Sequence, residues 1–395
     1  MTIHKQETFL EIYLKYSEKY IAIKNKMMYD NHNKMMYDNH NEITEGGNGN
    51  LESQKVTAKI IAEQLGLSIA TVDRALNNRG NVKEETYRKI MEKTKELGYT
   101  PNKLASFLSK KKQYNIAVIF PKYPQYFWEQ IEVGINQAYS ELGDFGLAIE
   151  TFRIPEKDSL DAVELVKQII DSKKFEAIAL AAGDDIFADV IDYGIDKGIP
   201  ICTFNNDSPE SKRLFYIGSD YRNAGRLAAE LLCKFIGMSG KVAILLGHSL
   251  DYQAREKMAG FQEVLNEYPD VDVIGHLKLT LEDVQEGFFN KLQSNLSSPD
   301  GIYIANAELG NVARYLEQIN IERKVTLIGH DMNSDIYHYL NRGFISATIG
   351  QDPVSQGYLT IKKLFGYLAH EEGIDKKEVI TKLEIITKEN AKFYV

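Results

Sequence analysis

Residues 68–77 read SIATVDRALN, and several of these side chains are of the types that touch base edges in nucleic acid. Ser68 is a good N-cap, so a helix beginning at the next residue presents Ile69, Ala70, Asp73 and Arg74 on its first turns. Arg74 is the natural bidentate donor to guanine. Such a helix needs a partner to hold it. Residues 58–65 (AKIIAEQL) precede it across Gly66-Leu67, and Ala62, Leu65, Val72 and Leu76 are spaced to pack two short helices over a tight turn. A longer helical stretch, 84–97, follows and ends at Gly98. Together these spell a helix-turn-helix, whose second helix enters the major groove. A plain three-helix satellite is the alternative, but charge argues against it. Residues 51–112 carry 13 Lys/Arg against 7 Asp/Glu, whereas residues 113–395 carry 28 against 42. A basic block on an acidic body is the asymmetry expected of a module that meets a polyanion.

Catalytic chemistry finds no comparable constellation. Ser249 in VAILLGHSLD has a strand-turn-helix setting like a nucleophile elbow, but Asp251 replaces the final glycine, and a turn serine is the simpler reading. There is no GxxxxGK[ST], HExxH or DxDxDG, and no GxGxxG opening a helix after a strand. Cys202 and Cys233 are the only cysteines and read as reduced thiols. His32 and His40 lie in an eight-residue duplication, KMMYDNHN at 26–33 and 34–41, too pliant to impose metal geometry. No catalytic residue, metal or cofactor is expected. No apolar run approaches the ~18 residues of a membrane span. Lys5, Glu7 and Glu11 interrupt any apolar leader, so the expected location is the cytoplasm.

From residue 114 short apolar runs (115–120, 146–152, 177–181, 199–204, 213–217, 241–246, 271–277, 301–304, 325–329, 346–350) alternate with amphipathic stretches (127–142, 159–172, 220–236, 252–267, 307–318, 354–372). The repeated βα pattern predicts an α/β body of parallel, doubly wound sheets, and its length predicts two of them with a cleft between. Residues 1–50, with the duplication and Gly46-Gly47-Asn48-Gly49-Asn50, read as a low-complexity extension; Phe9, Leu10, Tyr13, Leu14, Tyr16 and Tyr20 allow a short helix there.

Residues VT (56–57), AEQLGLS (62–68), TVDRALN (71–77), Val82, Thr86, KELGYTPN (95–102) and LASFLS (104–109) stand almost in register with the headpiece of the lactose-repressor (LacI/GalR) family, which the stretch 56–395 resembles throughout. The resemblance implies a helix-turn-helix headpiece at 54–100, a hinge helix and linker at 101–112, and a ligand-binding domain at 113–395 like the periplasmic sugar-binding proteins. It further implies a first lobe of about 113–217 and 353–375 and a second of about 218–352 and 376–395. It adds Thr57, Ser68, Thr71, Asn77, Asn102 and Ala105 to the DNA-facing residues and makes Leu108 a minor-groove wedge. Two departures matter: Ile60 stands where members usually have Asp, and Asp73 where they have Ser. Asp73 either accepts from a cytosine amino group or tethers Arg74.

In the body the resemblance makes Arg255, in AREKMAGF, the cleft arginine. Asn306, Asp331 and Gln351 each follow a strand, where open α/β sheets bind ligands. From the first lobe Tyr126, Phe127 and Trp128 are expected to face a sugar ring, with Asp184, Asp185, Asn206 and Asp207 after the next strands; helix capping is the other reading of Asp185 and Asp207. His330 and Ala307 depart from the family pattern, which points to a ligand other than ribose. The implied protein is a homodimeric regulator that binds a near-palindromic operator under control of a sugar. The alternatives are a sugar-binding protein with a vestigial headpiece and a serine hydrolase using Ser249.

Overall fold

Thr57 and Ser68 start helices because each can lend an oxygen to the unpaired backbone N–H groups of a first turn. Thr57 Oγ1 accepts from Ile60 N at 3.4 Å and Ser68 Oγ from Thr71 N at 3.1 Å, opening α1 (Ala58–Leu65) and α2 (Ile69–Leu76). Gly66 ends α1 in the left-handed conformation, φ 62°, which a side chain would strain. α3 (Glu84–Glu96) completes the unit. Ile61, Ala62, Val72, Ala75 and Ile90 form its core, with Leu65, Leu76 and Val82 packed on it. So small a core makes each cap count. Replacing Ser68 with alanine should lower the headpiece's unfolding free energy by about 1 kcal/mol, read from its thermal transition; an unchanged transition would show that the cap is not needed.

The computed structural model describes residues 57–76, 80, 82–97, 112–154, 159–182, 185–246, 251–278, 299–318, 325–370 and 373–395. The chain divides between Pro101 and Asn102 into two units. In the second, β1 (Tyr114–Pro121), α4 (Gln125–Leu142), β2 (Leu147–Ile154), α5 (Ser159–Asp171), β3 (Ala177–Leu180), α6 (Ala188–Asp196), β4 (Ile201–Phe204) and β5 (Tyr216–Ser219) build the first lobe. The chain then enters the second lobe with α7 (Tyr221–Phe235), β6 (Gly240–Leu246), α8 (Tyr252–Leu265), β7 (Val271–Lys278), β8 (Gly301–Ile304), α9 (Leu309–Gln318), β9 (Thr326–His330), α10 (Ser334–Asn341) and β10 (Ala347–Gly350). It returns with α11 (Pro353–His370) and β11 (Glu378–Thr381), and crosses a last time to β12 (Glu384–Ile386).

Among the described residues each lobe holds a six-stranded sheet, ordered β11-β5-β4-β3-β1-β2 and β12-β10-β9-β8-β6-β7. All described pairs are parallel except β10 with β12. Residues alternate between two packed faces: Val118 and Phe120 join one apolar cluster, Ala117 and Ile119 another. In the second sheet Ala243 and Leu245 face one way, Val242, Ile244 and Leu246 the other. Double coverage is what makes strands of continuous apolar residues. The expected second lobe included residues 376–395, but β11 pairs with β5 and so belongs to the first; Glu378–Thr381 is a parallel edge strand, not a continuation toward the C-terminus. The expected body of parallel, doubly wound sheets is what the two sheets show, with β12 added as one antiparallel edge strand.

Glycine lets the framing helices approach. A Cβ on Gly225 of α7 would lie 1.9 Å from Lys257 O of α8, and one on Gly260 of α8 would lie 1.9 Å from Arg222 O. Lys257 is thereby fixed against α7.

Candidate effector cleft and DNA-reading surface

On the headpiece, Ser68, Ile69, Ala70 and Arg74 are exposed, Ile69 to 52%, while Thr71 and Asp73 are half-buried. Val72 and Ala75 turn inward, so the helix divides into a core face and a free face that carries both apolar and cationic groups. Thr57 is exposed at the start of α1. Asn77, Asn102, Ala105 and Leu108 lie outside the described residues.

The cleft is built at strand carboxyl ends, where loops of both lobes converge. After β9 the backbone of Asp331 turns through φ 69°, held by Thr348 Oγ1 donating to Asp331 O at 2.7 Å and Asp331 N donating to Ile349 O at 3.0 Å. Gln351, buried after β10, donates its amide N–H to Asp331 Oδ1. Asp331 is half-buried, yet enough protein surrounds it that desolvation raises its carboxyl above the usual range; the Lys257 charge and the Gln351 bond oppose this. Lys257 is 3% exposed, donates to Ala305 O at 3.2 Å and sits over the Tyr221 ring at 5.3 Å. Burial lowers its pKa, against the pull of Asp331 and Asp251. The arrangement sets carboxylate acceptors beside an ammonium donor, the polarity that hydroxyl groups can satisfy in both senses.

From the first lobe, Tyr123 OH donates to Glu308 Oε1 at 3.0 Å, and Gln130 donates to Met332 O at 3.2 Å. Asn206 donates to Asp251 Oδ2 at 3.0 Å, Gln253 to Asn205 Oδ1 at 3.0 Å, and Arg255 pairs with Asp185 at 2.9 Å. The lobes thus touch through side chains along their facing loops. Behind the cleft the crossings meet at one carbonyl: Gln351 O accepts from Ser219 Oγ at 3.4 Å, Thr381 Oγ1 at 3.2 Å and Gln356 Nε2 at 2.8 Å.

Several expected site residues have other work. Asp207 is buried and ion-paired with Arg213, and it also accepts from Thr203 Oγ1 and Ser208 N. It is a structural carboxylate, because no oxygen is left turned outward. Phe127 and Trp128, 4% exposed each, pack in the first lobe's core, where Trp128 meets Phe120 and Phe204, so neither presents the open ring face expected of it. Asn306 Oδ1 accepts from Glu308 N at 3.1 Å and so folds back on its own loop. Arg255 sits half-exposed at the rim with Asp185. His330 is buried behind the cleft, bonded to Tyr303 OH at 2.7 Å, and burial and the Lys257 charge keep its pKa well below the usual value. Asp184 and Ser249 lie outside the described residues.

A model of the periplasmic binding protein domain matches residues 116–372, and one of the bacterial regulatory proteins of the lacI family matches residues 57–102. The chain belongs to the lacI family of regulators. This lacI-family protein is 26% identical over 287 residues to the HTH-type transcriptional regulator DegA of Bacillus subtilis, covering 70% of this chain and 82% of that one. It is 25% identical over 324 residues to the sucrose operon repressor of Streptococcus mutans, covering 79% and 92%. Its fold matches GanP, a glucose-galactose binding protein from Geobacillus stearothermophilus, with a TM-score of 0.63, 24% identity and coverage of 71% and 99%.

Sequence reasoning missed Lys257, Glu308, Asp251 and Gln253 in this lacI-family cleft. Lys257 carries a readable signal: Ala254, Lys257, Phe261 and Val264 share one helical face, and all are buried. Arg255 falls off that face. Glu308, 5% exposed, supplies a buried carboxylate next to Ala307. Among the described residues no helix is long and apolar enough to cross a membrane, and no group of three or more His, Cys, Asp or Glu could hold a metal ion.

Proposed function

We propose that this lacI-family protein is a cytoplasmic repressor that binds a near-palindromic operator as a homodimer and changes its operator affinity when the cleft closes on a sugar. The carrying observation is that one chain joins an exposed Ser68–Arg74 helix face to a two-lobed body whose polar side chains gather at strand ends. A relative named for the sucrose operon and a fold neighbour that binds glucose and galactose support the choice of sugar. Effector and operator are coupled by a free energy shared between the two sites, set by how differently each binds the two lobe arrangements. Two headpieces reading two half-sites account for the symmetry of the operator. The named relatives are regulators, which also speaks against the hydrolase reading of Ser249.

The test combines selection of duplex DNA by the full chain with a thermal-shift screen over sugars. A ligand at 100 times its Kd adds about 2.7 kcal/mol to the folded state, a shift that is easily read. Arg74→Ala should weaken the selected operator by about 1–3 kcal/mol while leaving scrambled DNA nearly unaffected. Equal losses on both would reduce Arg74 to a phosphate contact. Failure to select any two-fold DNA site would remove the repressor reading and leave a sugar-binding protein with a vestigial headpiece.

A further inference from the structure

The contacts that join the lobes differ in how far they stand from the points where the chain crosses. The crossings leave β5, β10 and β11 and converge on Gln351 O, which accepts from Ser219 Oγ, Thr381 Oγ1 and Gln356 Nε2. Bonds at that point survive when the lobes turn. Farther out they do not. β1 stands three places from β5 in the first sheet, and β8 stands two places from β10 in the second. At ~4.8 Å per strand, the loops after β1 and β8 lie about 14 Å and about 10 Å from the turning point. A rotation of about 15°, the scale of rigid-body switches, moves the outer loop by about 4 Å, more than a hydrogen bond can stretch. Tyr123 and Glu308 occupy these two loops, and Tyr123 OH donates to Glu308 Oε1 at 3.0 Å. The carboxylate is held ready for it: Glu308 is buried, its Oε2 accepts from Asn311 Nδ2 at 2.7 Å, and its own N–H donates to Asn306 Oδ1 at 3.1 Å. A hydrogen bond to a carboxylate shielded from water is stronger than a neutral one. Farther along α4, Gln130 Nε2 reaches Met332 O, in the loop after β9, at 3.2 Å. The outer contact of the opposite flank, Arg255 with Asp185, is exposed, so water and salt screen it.

We propose that Tyr123 and Glu308 form a latch built into the chain: a bond between the lobes that must break on opening and that favours the closed arrangement whatever the cleft binds. Gln130 is its second, weaker point. The lobe equilibrium is then set in part by the protein itself, and a ligand shifts it further only by the difference in its affinity for the two arrangements. Tyr123 and Glu308 are thus positioning residues, acting on the lobes rather than on a ligand.

The experiment is a distance measurement between two spin labels on the full chain with no ligand added, alongside thermal unfolding. The labels sit on Thr151→Cys and Asp272→Cys, exposed positions of β2 and β7, the edge strands farthest from the crossings. Cys202 and Cys233 are buried and leave the introduced cysteines as the labelled sites. Tyr123→Phe should raise the ratio of long-distance to short-distance populations about tenfold, the effect of losing one bond to a charged acceptor. Arg255→Ala should shift the ratio less than that, since its pair is exposed. In a Glu308→Ala background, itself moved toward long distances, Tyr123→Phe should add less than about twofold, because its partner is already gone. An unchanged distance distribution in Tyr123→Phe would overturn the proposal, and a lowered Tm with that same unchanged distribution would show the bond to be merely structural. A larger shift from Arg255→Ala than from Tyr123→Phe would put the latch on the other flank. A further tenfold shift in the Glu308→Ala background would mean that Tyr123 acts through another group, and the pairing would fall.

Discussion

Arg213→Ala should cost the body about 3–5 kcal/mol of stability, the expected price of stranding a buried charge. Arg213 and Asp207 are 7% and 2% exposed, and the guanidinium reaches Asp207 at 2.6–2.7 Å, Glu378 at 3.2 Å and Lys377 O at 3.3 Å. The arginine therefore ties the loop after β4 to the edge strand β11, two segments far apart in sequence. With it gone, Asp207 keeps only the hydroxyl of Thr203 and the N–H of Ser208. Urea unfolding with an unchanged slope would report the loss. The exposed pair Arg314–Asp335 is the control, where Arg314→Ala should cost about 0–1 kcal/mol. A loss below about 1 kcal/mol at Arg213 would mean that water or a rearranged loop takes over. Replacing both partners by apolar residues, Asp207→Leu with Arg213→Met, should recover most of the stability, since the desolvation of two charges is then avoided.

Asp331→Ala is expected to weaken effector binding by about 2–4 kcal/mol, because it removes a charge-assisted acceptor and leaves the buried Lys257 ammonium without the stronger of the two negative charges that act on it. Operator binding without effector should be preserved. Calorimetry on the variant and gel shifts without ligand measure the two halves; parent-like effector affinity would place the site elsewhere. The pH dependence has a definite sign. Burial raises the Asp331 pKa, so on acidification the carboxylate is lost, and effector affinity falls, at a higher pH than an ordinary aspartate would give. For folding without ligand the sign is opposite. The raised native pKa contributes stability that is fully present below the unfolded-state value and is lost as the pH rises through the native one.

The headpiece was legible in the sequence because its determinants are local. A cap at Ser68, a glycine at Gly66 and apolar residues at helical spacing act within a few residues of each other, and the structure uses each of them as that spacing predicts. The strands of the body were legible for a related reason. A strand covered on both faces must be apolar throughout, and runs such as 241–246 advertise it. Short α6, short α10 and the terminal strands β11 and β12 were not read, since four or five apolar residues among polar ones carry no clear period.

The cleft divides along the same line. Strand-end position, a matter of sequence order, singled out Asp331 and Gln351, and both lie there. Which neighbouring groups turn inward was decided by packing. Two helices meeting at Gly225 and Gly260 bury Lys257 and leave Arg255 at the rim, and the return of β11 beside β5 turns Asp207 from a ligand candidate into the partner of Arg213. Sequence fixes what each side chain can do. Only the contacts between segments distant in the chain settle whether its hydrogen-bonding capacity is spent inside the protein or remains for a ligand, because burial and pairing are properties of the assembled fold.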